Sequence, residues 1–249
     1  MVLAVLLCIW YSFYKRNVFY FLLTFIFFLF YHFTVERKNK YISMANGDNL
    51  IKDAIDNTVN TAGYLWYNNT ATIYTLLFAF LFGSTLLKLN CQNVIRISRE
   101  KIGNKNLINS IFCSVMFSVA FCLPHLIFMC VNFSKNILFQ INFFDIFALQ
   151  FSAYVLYYLL TSQIMIFLYY ITLNSILSGI LVFIVNSVMM FIYKLLHLNT
   201  PIFFTLVCTK YYNTDMKNLN IVSDVLMFVP IIIVFVILNK IKIKNRDVL

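Results

Sequence analysis

Residues able to carry covalent or metal chemistry are few in this chain and far apart. Its only glutamates are Glu36 and Glu100, both outside the long apolar runs, and Ser178–Gly179 lacks the glycines that flank a nucleophile elbow. A metal site, or a nucleophile with its base, needs such groups close together. The three histidines instead fall in different segments: His32, His125 and His197. The pattern indicates a protein that is not an enzyme, with no catalytic residues and no metal.

Cysteine and glycine spacing narrows the chemistry further. The six cysteines form no CxxC pair and lie mostly in apolar runs, so we interpret them as small apolar residues rather than metal ligands or disulfides. The five glycines cannot build a GxxxxGK[ST] phosphate-binding loop. Any ATP chemistry must therefore come from another chain, and we expect no cofactor in this one.

The composition of the chain indicates a membrane protein. The chain has 249 residues, of which 62% are hydrophobic and only 11% charged, with 28 Phe. A soluble domain of this size exposes too much surface to hide so many apolar side chains. The composition predicts an all-α, polytopic membrane protein that forms a single domain over residues 1–249.

Charge spacing locates the spans. A Lys or Arg at the bilayer centre costs roughly 2.5–3.5 kcal/mol, so long uncharged runs mark membrane. The uncharged run from Ile146 to Tyr193 makes ~72 Å of helix, which crosses a core of ~30 Å twice, and the polar Thr172–Ser175 is the natural turn. We expect six spans, at about residues 18–35, 70–87, 107–131, 146–170, 176–193 and 222–240.

Loop charges predict the orientation. Six spans put both termini on one side, and that side holds eleven cationic side chains against eight on the other. The positive-inside rule then places both termini in the cytoplasm. The net charge of +10 is explained by attraction to anionic lipid and not by nucleic-acid binding. The eleven predicted cytoplasmic cations are Lys15, Arg16, Lys88, Arg96, Arg99, Lys101, Lys105, Lys240, Lys242, Lys244 and Arg246.

One charged segment, "VIRISREKIGNK" at Val94–Lys105, separates the second and third predicted spans. On a helix of 100° per residue its apolar side chains share one side, and Arg96, Arg99 and Glu100 share the other. Gly103–Asn104 is predicted to end this short helix. Two interpretations are open: a loop that only sets topology, or a helix that docks into a partner. The apolar side comprises Val94, Ile95, Ile97, Ser98 and Ile102.

Three further segments are predicted to lie at the membrane surface. The apolar run Val2–Tyr14 is too short to span and ends at Lys15–Arg16, which favours a surface helix over a truncated start. "NLIKDAIDNTV", from Asn49, has the spacing of an amphipathic helix covering the outer mouth of the bundle, with a solvated loop as the alternative. Pro201–Val207 is apolar but short, as expected of a re-entrant or interfacial piece.

This layout resembles the membrane subunit of a type-2 ATP-binding-cassette (ABC) exporter. "AVLLCIWYSFYKR" is similar to the elbow helix of that family, "NVIRISREKIGNK" to its coupling helix and "TPIFFTLVCT" to its re-entrant element. The tail "IKIKNRDVL" is similar to the basic tails of such subunits from Gram-positive bacteria. The resemblance covers the whole chain in layout, and no single motif is specific. The loop after the fourth span is short and uncharged, which departs from the family's second cytoplasmic contact.

The resemblance implies a partner and a role for the charged segment. In the family the coupling helix fits a cleft on a cytoplasmic ATPase, which binds the ATP and Mg²⁺, and a second permease subunit, like or unlike, completes the pathway. By position this implies that Arg96, Arg99, Glu100 and Lys101 contact the ATPase. The candidate coupling site therefore comprises Val94, Ile95, Arg96, Ile97, Arg99, Glu100, Lys101 and Ile102.

Other functions fit the sequence less well. A secondary transporter places ionisable groups near the midplane, and the predicted spans carry no charged residue near their centres. A non-transporting immunity or sensor protein stays open as an alternative.

The substrate expected from the family is a hydrophobic or amphipathic molecule, with a bacteriocin or toxin peptide favoured and a lipid or drug as the alternative. Aromatic stretches such as "YVLYYLL" at Tyr154–Leu160 could line such a route, but a lipid-facing or interfacial position is favoured for them.

Overall fold

The computed structural model consists of helices joined by short non-helical segments in the part of the chain that it describes, and it has no strand there. Two predicted surface elements, the elbow helix and most of the re-entrant piece, lie outside that part, as does the first predicted span apart from Phe25 and Ile26, which are helical. The described residues are 25–26, 47–59, 70–89, 93, 98–196, 207–212 and 221–245.

The helices alternate between long apolar ones and short connecting ones. The long ones are α3 (Arg99–Asn132), α5 (Phe143–Thr172) and α6 (Ser175–Leu196). A single π-helical turn, Thr70–Tyr74, leads into α2 (Thr75–Thr85). The others are α1 (Gly47–Val59), α4 (Lys135–Gln140), α7 (Val207–Tyr212), α8 (Ile221–Leu226) and α9 (Phe228–Asn245).

Three of these helices, α3, α5 and α6, are long and apolar enough to cross a membrane. They contain the predicted spans 107–131, 146–170 and 176–193, so a membrane protein is supported. The apolar helix over Thr70–Thr85 is shorter, and the chain extends from Leu86 instead of continuing to Leu87 in a helix. The region of the sixth predicted span is divided at Met227 into α8 and α9.

The predicted turn between the fourth and fifth spans is confirmed. Helix α5 ends at Thr172, and Leu173 takes the left-handed conformation with φ 55°. The Asn174 Oδ1 then accepts hydrogen bonds from the Ile176 and Leu177 amides at 3.0 and 3.2 Å, which satisfies two free N–H groups at the start of α6.

Helix α5 is the centre of the bundle and packs against α3, α6 and α9. Its core is aromatic: the ring centroids of Phe117 and Tyr158 are 4.7 Å apart, and those of Phe121 and Tyr154 are 4.9 Å apart. The lipid-facing position favoured for "YVLYYLL" is therefore wrong for its tyrosines, since Tyr154, Tyr157 and Tyr158 are all buried. A hydroxyl such as that of Tyr157, 3.2 Å from Thr75 Oγ1, finds a partner inside the bundle.

Three short helices, α1, α4 and α7, cover the end of the bundle where α3 finishes. We call this the capped end. The amphipathic helix predicted from "NLIKDAIDNTV" is present as α1, and its Ala54 is fully buried against a cluster that includes Phe128 and Phe143. Tyr212 of α7 donates a hydrogen bond to the Ile141 carbonyl at 2.8 Å. Apolar packing by these short helices thus closes one face of the core.

Candidate functional site at the basic end

The opposite end of the bundle, which we call the basic end, is formed by the start of α3 and the finish of α9. Half of the predicted coupling site lies there as the first turn of α3: Arg99 is half-buried, while Glu100 and Lys101 are exposed. Ile102 is fully buried and belongs to the main apolar core. The other half lies outside the described residues: Val94, Ile95, Arg96 and Ile97.

The predicted helix stop at Gly103–Asn104 is wrong, because α3 continues through both residues to Asn132. The glycine lies inside α3, beside α9, instead of at a turn. A Cβ built on Gly103 would stand 3.4 Å from the Ile243 Cδ1 of α9. The charged segment is therefore continuous, from Arg99 onwards, with a candidate membrane span.

Strain marks the residue just before that helix. Ser98 has φ 67° and ψ 153°, a conformation that residues with a Cβ seldom adopt. Such a backbone costs about 1–3 kcal/mol and persists only where its surroundings hold it.

The start of α3 is joined to the end of α9. The Arg99 guanidinium donates a hydrogen bond from Nη1 to the Lys244 carbonyl at 3.3 Å. Together with the Gly103–Ile243 contact, this bond places the first turn of α3 beside the last turn of α9. The basic tail and the charged segment, which are distant in sequence, therefore share one end of the bundle.

The chain leaves α2 through the segment Leu86–Leu89, which is held by a set of polar side chains. We call this set the clamp; it comprises Asn106, Asn109, Tyr169 and Tyr170. Asn106 accepts a hydrogen bond from the Leu87 amide at 2.9 Å and donates to the Leu87 carbonyl at 3.4 Å. Its Nδ2 also lies 3.4 Å from the Tyr170 hydroxyl. Asn109 donates to the Thr85 carbonyl at 3.0 Å, and the Leu89 amide donates to Tyr169 at 2.7 Å.

Three further polar side chains link α3, α5 and α9 near the same end. Gln163 donates to Ser110 Oγ at 2.7 Å. Asn239 donates from Nδ2 to Gln163 Oε1 at 3.1 Å and to the Gln163 carbonyl at 3.0 Å. The Asn239 Oδ1 is buried and has no hydrogen-bond partner among the described residues. Helices α3, α5 and α9 are thus joined by hydrogen bonds between side chains. Such bonds fix the relative positions of the helices more closely than apolar packing alone.

A cavity of about 520 Å³ opens between these helices, a volume typical of small-molecule sites. One wall carries charge and another is apolar, with Leu107, Ile166 and Val236. The floor contains Gln163 and Asn239, which are almost fully buried. The charged side chains that line it are Arg99, Glu100, Lys240 and Lys244.

The clamp and the cavity floor were not predicted from the sequence. One available signal was the amide of Gln163 inside an uncharged run, whereas Asn106 and Asn239 lie next to Lys105 and Lys240 at the charged ends of apolar runs. Such a residue is costly in a membrane span unless it is paired. Within the described part of the chain, no group of three or more His, Cys, Asp or Glu side chains could hold a metal ion.

Comparisons with known proteins return no relatives. The chain matches no protein-family model, no curated protein and no solved structure.

Proposed function

We propose that this chain is the permease subunit of a type-2 ABC exporter, driven by a separate cytoplasmic ATPase that binds the ATP and Mg²⁺. The substrate is a hydrophobic or amphipathic molecule, with a bacteriocin or toxin peptide of a Gram-positive bacterium as the favoured class. One observation carries the proposal: the described half of the charged segment is the first turn of α3, a candidate membrane span. A partner that moves this turn therefore moves the span.

The contacts of the first turn support a role in transmitting movement. Helix α3 has 34 residues, which makes a rod of about 51 Å. Its start is tied to the end of α9 by the Arg99–Lys244 hydrogen bond, and its Asn106 holds the Leu87 backbone. A displacement at Arg99 is thus shared with α9 and with the exit of α2.

The proposed arrangement in the membrane has six spans with both termini in the cytoplasm. Helices α3, α5 and α6 supply three of them. The helix over Thr70–Thr85 and the pair α8 and α9 supply two shorter ones, and residues 18–35 supply the first. A second permease subunit, identical or different, lies against this one and completes the pathway between them.

Position-specific photo-cross-linking tests the partner. A benzophenone amino acid is introduced at exposed Lys101, at the basic end, and in a matched variant at exposed Lys135, at the capped end. Illumination of native cells should link the first variant to a protein with a Walker-motif ATPase domain and leave the second without that adduct. An ATPase adduct at Lys135 alone, or at neither position, would contradict the proposal.

A further inference from the structure

We infer that the cavity at the basic end binds the phosphate of an anionic phospholipid headgroup. The assignment stands on the lining of the cavity and does not depend on the proposed ATPase. It gives the basic end a ligand as well as a docking surface.

The charges that line the cavity favour an anion. Arg99, Lys240 and Lys244 bring three cations to its walls, and Glu100 is the one acidic side chain among the residues that line it. Among the described residues, neither lysine forms an ion pair within 4.0 Å, and Arg99 donates to a backbone carbonyl rather than to a carboxylate. Guanidinium and ammonium groups converging on one space are suited to phosphate oxygens.

The apolar wall favours a lipid over a free phosphate ion. Leu107, Ile166 and Val236 give the cavity a surface that a soluble anion would leave unused. Lys240 lies two residues after the apolar run that ends at Leu238, so the cations lie where an apolar helix gives way to charged residues. That is the depth at which lipid phosphates are found beside their acyl chains.

The floor favours a headgroup that also donates a hydrogen bond. Asn239 lines the cavity, is 94% buried, and leaves its Oδ1 without a partner among the described residues. A glycerol hydroxyl next to the phosphate would supply the missing donor, whereas a choline headgroup has no N–H or O–H to donate.

The binding experiment uses the full chain, purified in mild detergent with any subunits that stay bound. Dioctanoyl phosphatidylglycerol and dioctanoyl phosphatidylcholine are titrated separately, and bound lipid is counted by native mass spectrometry. We expect saturable binding of phosphatidylglycerol and clearly weaker binding of phosphatidylcholine. Equal binding of the two lipids, or binding that does not saturate, would overturn the assignment.

Lysine variants separate the cavity from general attraction to a basic surface. Lys240→Gln and Lys244→Gln each remove one charge from the lining, and each should weaken phosphatidylglycerol binding by about fivefold. Lys242→Gln removes the same charge from the same helix, but Lys242 does not line the cavity, so its effect should be less than about twofold. An equal loss in all three variants would mean that only surface charge is involved.

Two further experiments test whether the cavity itself is the binding site and whether the bound phosphate belongs to a lipid. Asn104→Trp should fill the cavity and block binding, because Asn104 is exposed and lines it, while Ile108→Trp, one turn along on an exposed position outside the lining, should not. sn-Glycerol 3-phosphate is added as a competitor. No displacement at millimolar concentration supports the lipid, whereas displacement as effective as that by the lipid would overturn the lipid in favour of a soluble phosphate ester.

Discussion

The two ends of the bundle enclose cavities of similar size, about 520 Å³ at the basic end and about 610 Å³ at the capped end, but their linings differ. The capped-end cavity is lined without any charged side chain, by residues such as Ile51, Ile55 and Tyr212. The basic-end cavity carries three cations and one carboxylate. Volume alone therefore does not distinguish the two ends, and charge does.

The way in which the ends are held together also differs. At the capped end, α1 is attached by apolar packing around Ala54, which is not directional, while α7 is also held by hydrogen bonds such as that from Tyr212 to the Ile141 carbonyl. At the basic end, hydrogen bonds from Asn106, Gln163 and Asn239 connect neighbouring helices in one fixed register. Directional bonds make neighbouring helices move together, which the proposed coupling to an ATPase at the basic end requires.

Thiol labelling should give the largest difference within the capped end. Burial raises the pKa of the Cys208 thiol in α7 to about 12, so at pH 8 only about one thiol in 10,000 is the reactive thiolate. Cys130, near the end of α3, is exposed. In single-cysteine variants, maleimide should therefore modify Cys208 at least about 100-fold more slowly than Cys130.

The pH dependence of that reaction supplies its control. Because the raised pKa keeps the thiol protonated, the rate at Cys208 should rise about tenfold per pH unit from pH 7 to 9. Equal rates at the two cysteines, measured by mass spectrometry over time, would mean that α7 does not cover the core as described.

Asn106→Ala should be the most destabilising change at the basic end. It leaves both the N–H and the carbonyl of Leu87, which are part-buried, without their side-chain partner, and at that burial each lost partner costs about 1–2 kcal/mol. We expect the free energy of unfolding in detergent to fall by about 2–4 kcal/mol. Asn142→Gly at the capped end is the matched control.

The control loses one exposed hydrogen bond, to the Tyr211 hydroxyl, and glycine accepts the left-handed conformation of Asn142, so its unfolding free energy should change by less than about 1 kcal/mol. A similar loss of unfolding free energy in Asn106→Ala and Asn142→Gly would mean that hydrogen bonds do not hold the basic end more strongly than the capped end.

Ala54→Leu tests the packing of the capped end. Ala54 is fully buried beneath the aromatic cluster, so three added carbons have no space, and overpacking costs about 1–3 kcal/mol. Thermal unfolding in detergent should show that loss, and Lys52→Leu, at an exposed position of the same helix, should not. An unchanged Ala54→Leu variant would mean that α1 is not seated on the core.

Gly103→Ala is expected to have the smallest effect, with the opposite sign. Inside a helix, alanine is favoured over glycine by about 0.8–1.0 kcal/mol, and its Cβ would meet only the flexible end of Ile243, at 3.4 Å. The free energy of unfolding should rise by about 0.5–1 kcal/mol. A decrease of about 1 kcal/mol would instead indicate a left-handed glycine that ends a helix.

Much of the fold could be predicted because it follows from the distribution of charge and turn chemistry. Uncharged runs located α3, α5 and α6, and the polar Thr172–Ser175 located the turn between the last two. The spacing of Leu50, Ile51, Ala54 and Ile55 located α1. These patterns involve residues close together in sequence, so they can be recognised in a single sequence.

The errors came from contacts between distant parts of the chain. The local sequence around Gly103 is compatible both with a helix end and with a position inside a helix in contact with Ile243. Only the position of α9 distinguishes these two cases. The tyrosines of "YVLYYLL" likewise suit an interface or a core, and the partners that bury them come from α2 and α3. The clamp was missed because each amide is unremarkable until its backbone partner is known.

The central claim is that force from an ATPase enters at the basic end, and a mild-detergent purification of the tagged chain from its native cells tests it most directly. The account predicts that a Walker-motif ATPase co-purifies in stoichiometric amount. It predicts that the ATPase is lost with Arg96→Glu combined with Arg99→Glu and retained with Lys135→Glu at the capped end. Recovery of the chain alone, or with the ATPase still bound after the double reversal, would contradict it.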